Sequence, residues 1–525
     1  MGSFKGLRAA MMACAITPAA AGAAPAAVRV DGGRTSGVEA AGQVAYLGVP
    51  YAGPPVGERR WTPPSPVAPW KGVRVANSFG AVCPQPATPM FDTSKASEDC
   101  LFVNVWAPKD ARGRKLPVMV SIHGGAYILG SGNLADTTAF TRDGVILVSL
   151  NYRLGRLGQF AHPALTAEDP KGPLGSYTVM DQVSALQWVQ RNIRKFGGDP
   201  ANVTIFGCSA GGTYVNLLMG SPAARGLFHK AIAQSDPFNS PWPRLQRRGA
   251  APAGSAEAQG VRIVTALGLA NPTVAELRAI APERLLTTMG DAEGSRPIVD
   301  GQYVADQGIE SFERGEIARV PYISSINSWE GSLAAAVGAG AARMIEAGLG
   351  AEGPKVLALY PADLRGDGPR LAQALMDDVS FRAPQRSAAR RTERAGLPTW
   401  AIYFDYLALA LRGKGQPGAA HCSDSGYVFE TPNRFPRFDA TPADLAVART
   451  LHAYYVNFAR TGDPNGAGLP AWPRFGTQQT LLTVKNDGFS VVSSPDSERM
   501  KVLVPASEAM ARSLGAPRDR TLATD

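Results

Sequence analysis

Histidine and cysteine are scarce in this chain, with five of each among 525 residues. They do not gather at ligand spacing, apart from one cysteine pair taken up below, so the sequence asks for no metal and no cofactor. Long apolar runs are lacking too. No stretch of about eighteen apolar residues follows the N-terminus, which excludes a membrane-spanning helix. Basic tracts are equally absent despite a net charge of +9. Apart from Arg244 with Arg247 and Arg248, and Arg390 with Arg391, the basic residues are scattered and not interleaved with aromatics. That pattern reads as a basic solvated surface rather than a nucleic-acid face. Internal repeats and convincing linkers are missing as well, so a single domain over residues 25–525 is expected. What the chain does have is 45% hydrophobic against 18% charged residues, enough for a large core.

The first 24 residues read as a secretory signal. Lys5 and Arg8 precede the apolar segment Ala9 to Ile16, and Ala-x-Ala-like sites follow between Ala19 and Ala27. The apolar stretch before Cys14 is too short for a lipoprotein signal. Cleavage removes Cys14 and leaves Cys83, Cys100, Cys208 and Cys422. An even count in an exported protein, periplasmic or secreted, favours disulfides, with three pairings open.

Short apolar runs of strand type lie at Val44–Val49, Leu101–Ala107, Leu116–His123 and Val145–Asn151. Between Thr178 and Phe196, Val179, Val183, Leu186, Val189 and Ile193 recur at helical spacing. Alternating strands and helices predict an α/β fold with a large, mainly parallel sheet covered on both faces. From about Ser221 to Arg319 the pattern is less regular. Leu371–Asp378 and Leu445–Thr461 read as packing helices.

The most informative stretch is Val203-Thr204-Ile205-Phe206-Gly207-Cys208-Ser209-Ala210-Gly211-Gly212. A β-branched and aromatic run ends in Gly-x-Ser-x-Gly and can continue as a helix. At such a strand-to-helix turn the glycines keep Cβ atoms clear and Ser209 projects its hydroxyl. Serine needs a base. Of the histidines, His421 lies in a late loop and His452 on a helix, and spacing alone does not separate them. The base needs an orienting carboxylate. Glu330, shortly after the strand-like Val320–Ile326, is one candidate among many. Developing negative charge needs amide donors, and Gly125, Ala126 and Ala210 are expected to supply them, the first two after the strand Val118–Ile122.

With these residues in place, the chain resembles the type-B carboxylesterases, the cholinesterase-like branch of the α/β-hydrolases, from about Val38 to Val504. The motifs are Gly48-Val49-Pro50-Tyr51-Ala52, Glu98-Asp99-Cys100-Leu101-Phe102-Val103-Asn104-Val105-Trp106, His123-Gly124-Gly125-Ala126, Asn151-Tyr152-Arg153-Leu154-Gly155, Asp181-Gln182, Phe196 to Thr204, Gly207 to Gly212 and Gly462-Asp463-Pro464-Asn465. The resemblance implies a Ser209–His421–Glu330 triad, a Cys83–Cys100 disulfide, Ser235 as a partner of the acid, and Trp242 in an acyl-side pocket. It also implies that the alanine of Gly124-Gly125-Ala126 suits bulky alcohol groups.

Two positions depart from the family. Cys208 and Cys422 stand where glutamate and a small residue are usual. They flank the nucleophile and the base, and they are the pair left over, so a Cys208–Cys422 disulfide is expected. This is similar to the Cys-Ser and His-Cys arrangement of tannase-like and feruloyl esterases. Without the glutamate, no carboxylate beside Ser209 favours cationic choline-like substrates. The function this implies is hydrolysis of a small-molecule carboxylic ester through an acyl-enzyme. The alternatives are an acyltransferase with the same triad and a non-catalytic binding protein.

Overall fold

The strand-forming runs assemble into one eleven-stranded sheet in the computed structural model, which describes residues 27–515 apart from 89–91, 135, 240–241, 246–253, 288–292, 335–340, 435 and 494–497. The leader, with Cys14, and the basic residues Arg247 and Arg248 lie outside the described residues. In chain order the strands are β1 (Val38–Ala40), β2 (Gln43–Pro50), β3 (Phe102–Pro108), β4 (Leu116–Ile122), β5 (Ile146–Leu150), β6 (Gly198–Cys208), β7 (Lys230–Gln234), β8 (Tyr322–Asn327), β9 (Thr399–Phe404), β10 (Thr480–Lys485) and β11 (Gly488–Ser493). Their spatial order is β11-β10-β9-β8-β7-β6-β4-β5-β3-β2-β1. From β5 to β10 every neighbour is parallel. The strands at either end are antiparallel. This is the architecture of an α/β-hydrolase.

Central strands such as β4, β5 and β8 are buried at every residue. That is why they read as near-continuous apolar runs rather than as alternating ones. One face carries the helix α1 (Tyr177–Asn192) and α2 (Ala210–Gly220). Here Val183, Leu186, Val189, Tyr214 and Leu218 pack against Val118, Val120, Val148 and Ile205. Further along come α3 (Ala383–Arg394), α4 (Ser423–Val428), α5 (Pro442–Thr461) and α6 (Glu498–Gly515). α5 covers the opposite face, where Leu451, Tyr454, Tyr455 and Phe458 meet Met119, Leu147, Phe206 and Trp400.

Three elements differ from the sequence expectation. β7 falls within the stretch that reads as irregular. Its Lys-Ala-Ile-Ala-Gln is too short and too alanine-rich to announce a strand, yet it pairs in register with both β6 and β8. The helix expected at Leu371–Asp378 runs over Gly368–Leu375, then widens into a π-helical stretch, Met376–Arg382, before α3. α5 starts three residues before Leu445, because Thr441 and Asp444 cap each other reciprocally and Pro442 fits the first turn.

Candidate active site

Four adjacent strands, β4, β6, β7 and β8, end on the same edge of the sheet, and each delivers one part of the site. β6 ends at Cys208, and Ser209 follows with φ 61° and ψ −129° before α2 begins. This backbone region costs about 1–3 kcal/mol for a residue with a side chain. It persists because the Ser209 N–H donates to the Gln234 carbonyl at 2.9 Å and the Thr213 N–H to the Ser209 carbonyl at 3.0 Å. The flanking glycines have steric reasons. A Cβ on Gly207 or on Gly211 would collide with the carbonyl oxygen of Ile122, at the end of β4.

β4 ends in the turn His123-Gly124-Gly125-Ala126-Tyr127. A Cβ on Gly124 would lie 3.1 Å from the Ser209 Cβ, so the turn's backbone runs against the serine. Gly125, Ala126 and Tyr127 all have positive φ, of 116°, 53° and 69°. Tyr152 fastens the start of this turn: its hydroxyl donates to the His123 carbonyl, and its ring stacks on the imidazole at 4.1 Å between centroids. Burial holds the His123 imidazole down at about 4, so it stays neutral.

β8 ends at Asn327, three residues before Glu330. The Glu330 carboxylate is fully buried. Its Oε1 accepts from the Ser235 hydroxyl at 2.7 Å and from the Asn327 N–H at 2.7 Å. Its Oε2 meets Nδ1 of His421. His421 arrives on the loop between β9 and α4. That loop is held by the Ser332 hydroxyl, which accepts the His421 N–H at 3.0 Å, and by the Ser328 hydroxyl, which accepts the Ala419 N–H at 2.8 Å. Phe381, from the π-helical stretch, sets its ring edge-on to the imidazole at 5.1 Å. With Nδ1 committed to the carboxylate, the other ring nitrogen, Nε2, is buried and has no hydrogen-bond partner among the described residues.

Two disulfides are present. Cys83–Cys100 closes a short surface loop. Cys208–Cys422 joins residues 214 apart with Cα atoms 6.0 Å from each other. It ties the residue before Ser209 to the residue after His421. A ring nitrogen of His421 and the two sulfurs lie within 4.8 Å of one another. Both sulfurs are spent in the bond, so this group offers no thiolate to a metal. A second group, Asp143, Glu430 and His452, is taken up by Arg142, which forks onto Glu430 at 2.7 and 2.8 Å and reaches Asp143 at 2.6 Å. His452, the other base candidate, is therefore committed elsewhere: its Nδ1 faces the Val428 carbonyl and its Nε2 faces Asp143.

Two carboxyls close to the site have no signal in the sequence. Asp424 lies under the His421 loop and accepts from Gln234, Ser325 and Asn327. Burial raises its pKa. Asp236 follows Ser235 at the end of β7, and burial pushes it up to about 7. The family resemblance already points to Ser235, but only a strand assignment at Lys230–Gln234 would have placed Asp236 beside it on the site's edge.

The sequence model of the carboxylesterase family matches residues 24–350 and 366–503. The chain belongs to the carboxylesterase family. It is 33% identical to fumonisin B1 esterase of Sphingopyxis macrogoltabida, over 90% of this chain and 88% of that protein. It is 32% identical to carboxylesterase 4A of Bos taurus, over 83% and 86%. Para-nitrobenzyl esterase of Bacillus subtilis is 31% identical, over 90% and 97%. A solved PNB esterase structure superposes with a TM-score of 0.76 at 29% identity, covering 91% of this chain and 99% of that one. The chain is accordingly a carboxylic ester hydrolase.

In this carboxylesterase the remaining motif residues act as loop clamps. Asn104 Oδ1 accepts the Gly48 N–H at 2.8 Å, and Asn151 Oδ1 accepts the Gly132 N–H at 2.7 Å. Arg153 and Asp181 form a buried two-pronged pair at 2.7 and 2.8 Å. Trp242 is buried, exchanges two 2.8 Å hydrogen bonds with Gln307, and stands edge-on to Tyr127 at 5.7 Å, just beyond the expected oxyanion donors. A cavity of about 400 Å³ opens beside His421 and Cys422, walled also by Tyr406, Leu411, Tyr427 and Phe438. Ser209 is not among its walls.

Proposed function

We propose that the enzyme cleaves esters through an acyl-enzyme built on Ser209, with His421 as base and later acid, and Glu330 as the carboxylate that orients it. The observation that carries this reading is the Glu330–His421 contact at Nδ1, which leaves Nε2 free in a site where the disulfide holds the histidine loop against the serine turn. A carboxylate on Nδ1 fixes the tautomer whose Nε2 can take the serine proton, and stabilises the imidazolium that results. The amides of Gly125, Ala126 and Ala210 receive the charge of the tetrahedral intermediate, helped by the N-terminus of α2. His421 then returns the proton to the leaving alcohol, and water repeats the cycle on the acyl group.

Residues 25–525 act as one unit, exported after loss of the first 24. The two disulfides and the lack of a long apolar helix among the described residues are compatible with export. Fumonisin B1 esterase and para-nitrobenzyl esterase as relatives put fumonisin B1 and p-nitrobenzyl esters alongside p-nitrophenyl esters as substrates to assay. Ser209→Ala tests the mechanism. The purified variant should melt as the wild type does and show no turnover of p-nitrophenyl esters. Retained turnover would mean that Ser209 is not the nucleophile.

A further inference from the structure

Three consecutive residues with positive φ make the turn after β4 unusual, because two of them, Ala126 and Tyr127, carry side chains. Such a turn persists only when its surroundings over-determine it. Its tip amides are the proposed oxyanion donors, so the inference rests on that assignment. Tyr127 is the residue through which the turn is held. Its ring stands edge-on to Tyr214 at 5.7 Å and to Trp242 at 5.7 Å. Its carbonyl accepts the Gly155 N–H at 2.8 Å. Its hydroxyl lies 3.2 Å from that of Thr213, on the first turn of α2.

Thr213 does not stop there. Its Oγ1 donates to Asp236 Oδ1 at 2.7 Å, and Asn216 Nδ2, one turn further along α2, donates to Asp236 Oδ2. Asp236 is buried, and both of these side-chain partners, the Thr213 hydroxyl and the Asn216 amide, are neutral. A buried carboxyl without a countercharge is costly to keep and is found where its hydrogen bonds are used. When Asp236 is ionised it can only accept, so Thr213 gives it its proton and turns its lone pairs to Tyr127, whose hydroxyl then donates. The tyrosine is thereby aimed in one direction.

We propose that Asp236 is a positioning residue for ester hydrolysis: through Thr213 and Tyr127 it locks the oxyanion turn onto the nucleophile helix. The chain of contacts links the end of β7, the first turns of α2 and the turn after β4, the pieces whose relative placement sets the distance between Ser209 and its amide donors. A misplacement of about 1 Å in such a constellation costs on the order of a hundredfold in rate.

The variants are Asp236→Ala, Asp236→Asn and Tyr127→Phe, measured with p-nitrophenyl esters and with a trifluoromethyl ketone, which forms a tetrahedral adduct on the serine. Active sites are titrated, so kcat refers to folded enzyme. Asp236→Ala and Tyr127→Phe should lower kcat by about tenfold to a hundredfold while KM stays within about twofold, and weaken the ketone by a matching factor. Asp236→Asn keeps the acceptor for Thr213. The Asn216 amide, whose Oδ1 has no hydrogen-bond partner among the described residues, can turn over to accept from the new side chain, so activity should stay within about threefold of wild type. Wild-type kcat per titrated site in Asp236→Ala would overturn the proposal. An Asp236→Asn variant as impaired as the alanine would overturn it too, since charge rather than aim would then be at work. Turnover surviving in Ser209→Ala would instead sink the mechanism on which the proposal stands.

Discussion

Replacing Glu330 by glutamine changes one atom and reverses the logic of the site. Both donors to Oε1, the Ser235 hydroxyl and the Asn327 N–H, demand an acceptor there. The amide oxygen of a glutamine must therefore face them, and its NH2 must face His421. Nδ1 then has to accept, the ring proton moves to Nε2, and the proposed base can no longer take a proton from Ser209. Glu330→Gln should keep the packing and lower kcat by roughly 10³–10⁴-fold, the scale set by the corresponding change in serine proteases. Steady-state kinetics beside a melting curve check this, and a loss under about tenfold would mean that the tautomer is fixed by something else. The same pair of donors shows why Ser235 stands at the end of β7: its hydroxyl donates to Glu330 while accepting from Asn327 at 2.8 Å, so the acid's orientation is fixed from both sides.

At the level of elements, the site is a set of strand ends brought level by parallel pairing. β6 and β4 run in register up to Gly207 and Ile122, so the serine turn and the proposed oxyanion turn leave the sheet side by side. The disulfide adds a link that the sheet does not supply, because His421 comes from a loop with no strand pairing beyond one isolated bridge, Trp329 to Ala420. Cross-linking residues 214 apart restricts the unfolded chain by about 5 kcal/mol in the entropy model, of which about 2–4 is usually delivered. A Cys208→Ala/Cys422→Ala double variant should melt lower than wild type under non-reducing conditions and lose about tenfold or more in kcat as the histidine loop loosens. Equal melting and equal kcat would show the bond to be incidental. Legibility in the sequence follows the same division. β4, β5, β8, α1 and α5 are readable because fully buried strands and amphipathic helices leave local signatures. β7 is not, since its identity comes from two neighbours more than twenty residues away rather than from its own five residues.

Across the whole molecule, the same contrast separates what sequence carries from what only folding creates. The Gly-x-Ser-x-Gly turn is local and stands out on its own, whereas Glu330 and His421 are 91 residues apart, and without the family resemblance His421 competes evenly with His452. Asp236 and Asp424 are invisible in the sequence, because a buried carboxyl is defined by what closes over it. That closure extends to the C-terminus. α6 lays Leu503 and Val504 against Leu375, Val379 and Phe381, and its Ser507 hydroxyl donates to the Val379 carbonyl at 2.8 Å while accepting from Asn239, three residues beyond Asp236. Arg391 adds an ion pair to Glu508 at 2.5 Å and another to Glu313 at 2.8 Å. The π-helical stretch carrying Phe381, the ring that backs His421, is thus pinned by α6, the last helix among the described residues. Leu503 is fully buried, so Leu503→Ala should cost about 2–5 kcal/mol by cavity formation. If α6 supports the site through Phe381, the folded variant should also lose activity at temperatures well below its melting point, with KM little changed. Hydrogen exchange should rise in Met376–Arg382 and around His421 while β4 and β6 stay protected. Exchange that rises evenly across the sheet, with kcat intact until global unfolding, would show that α6 stabilises the molecule without reaching the active site.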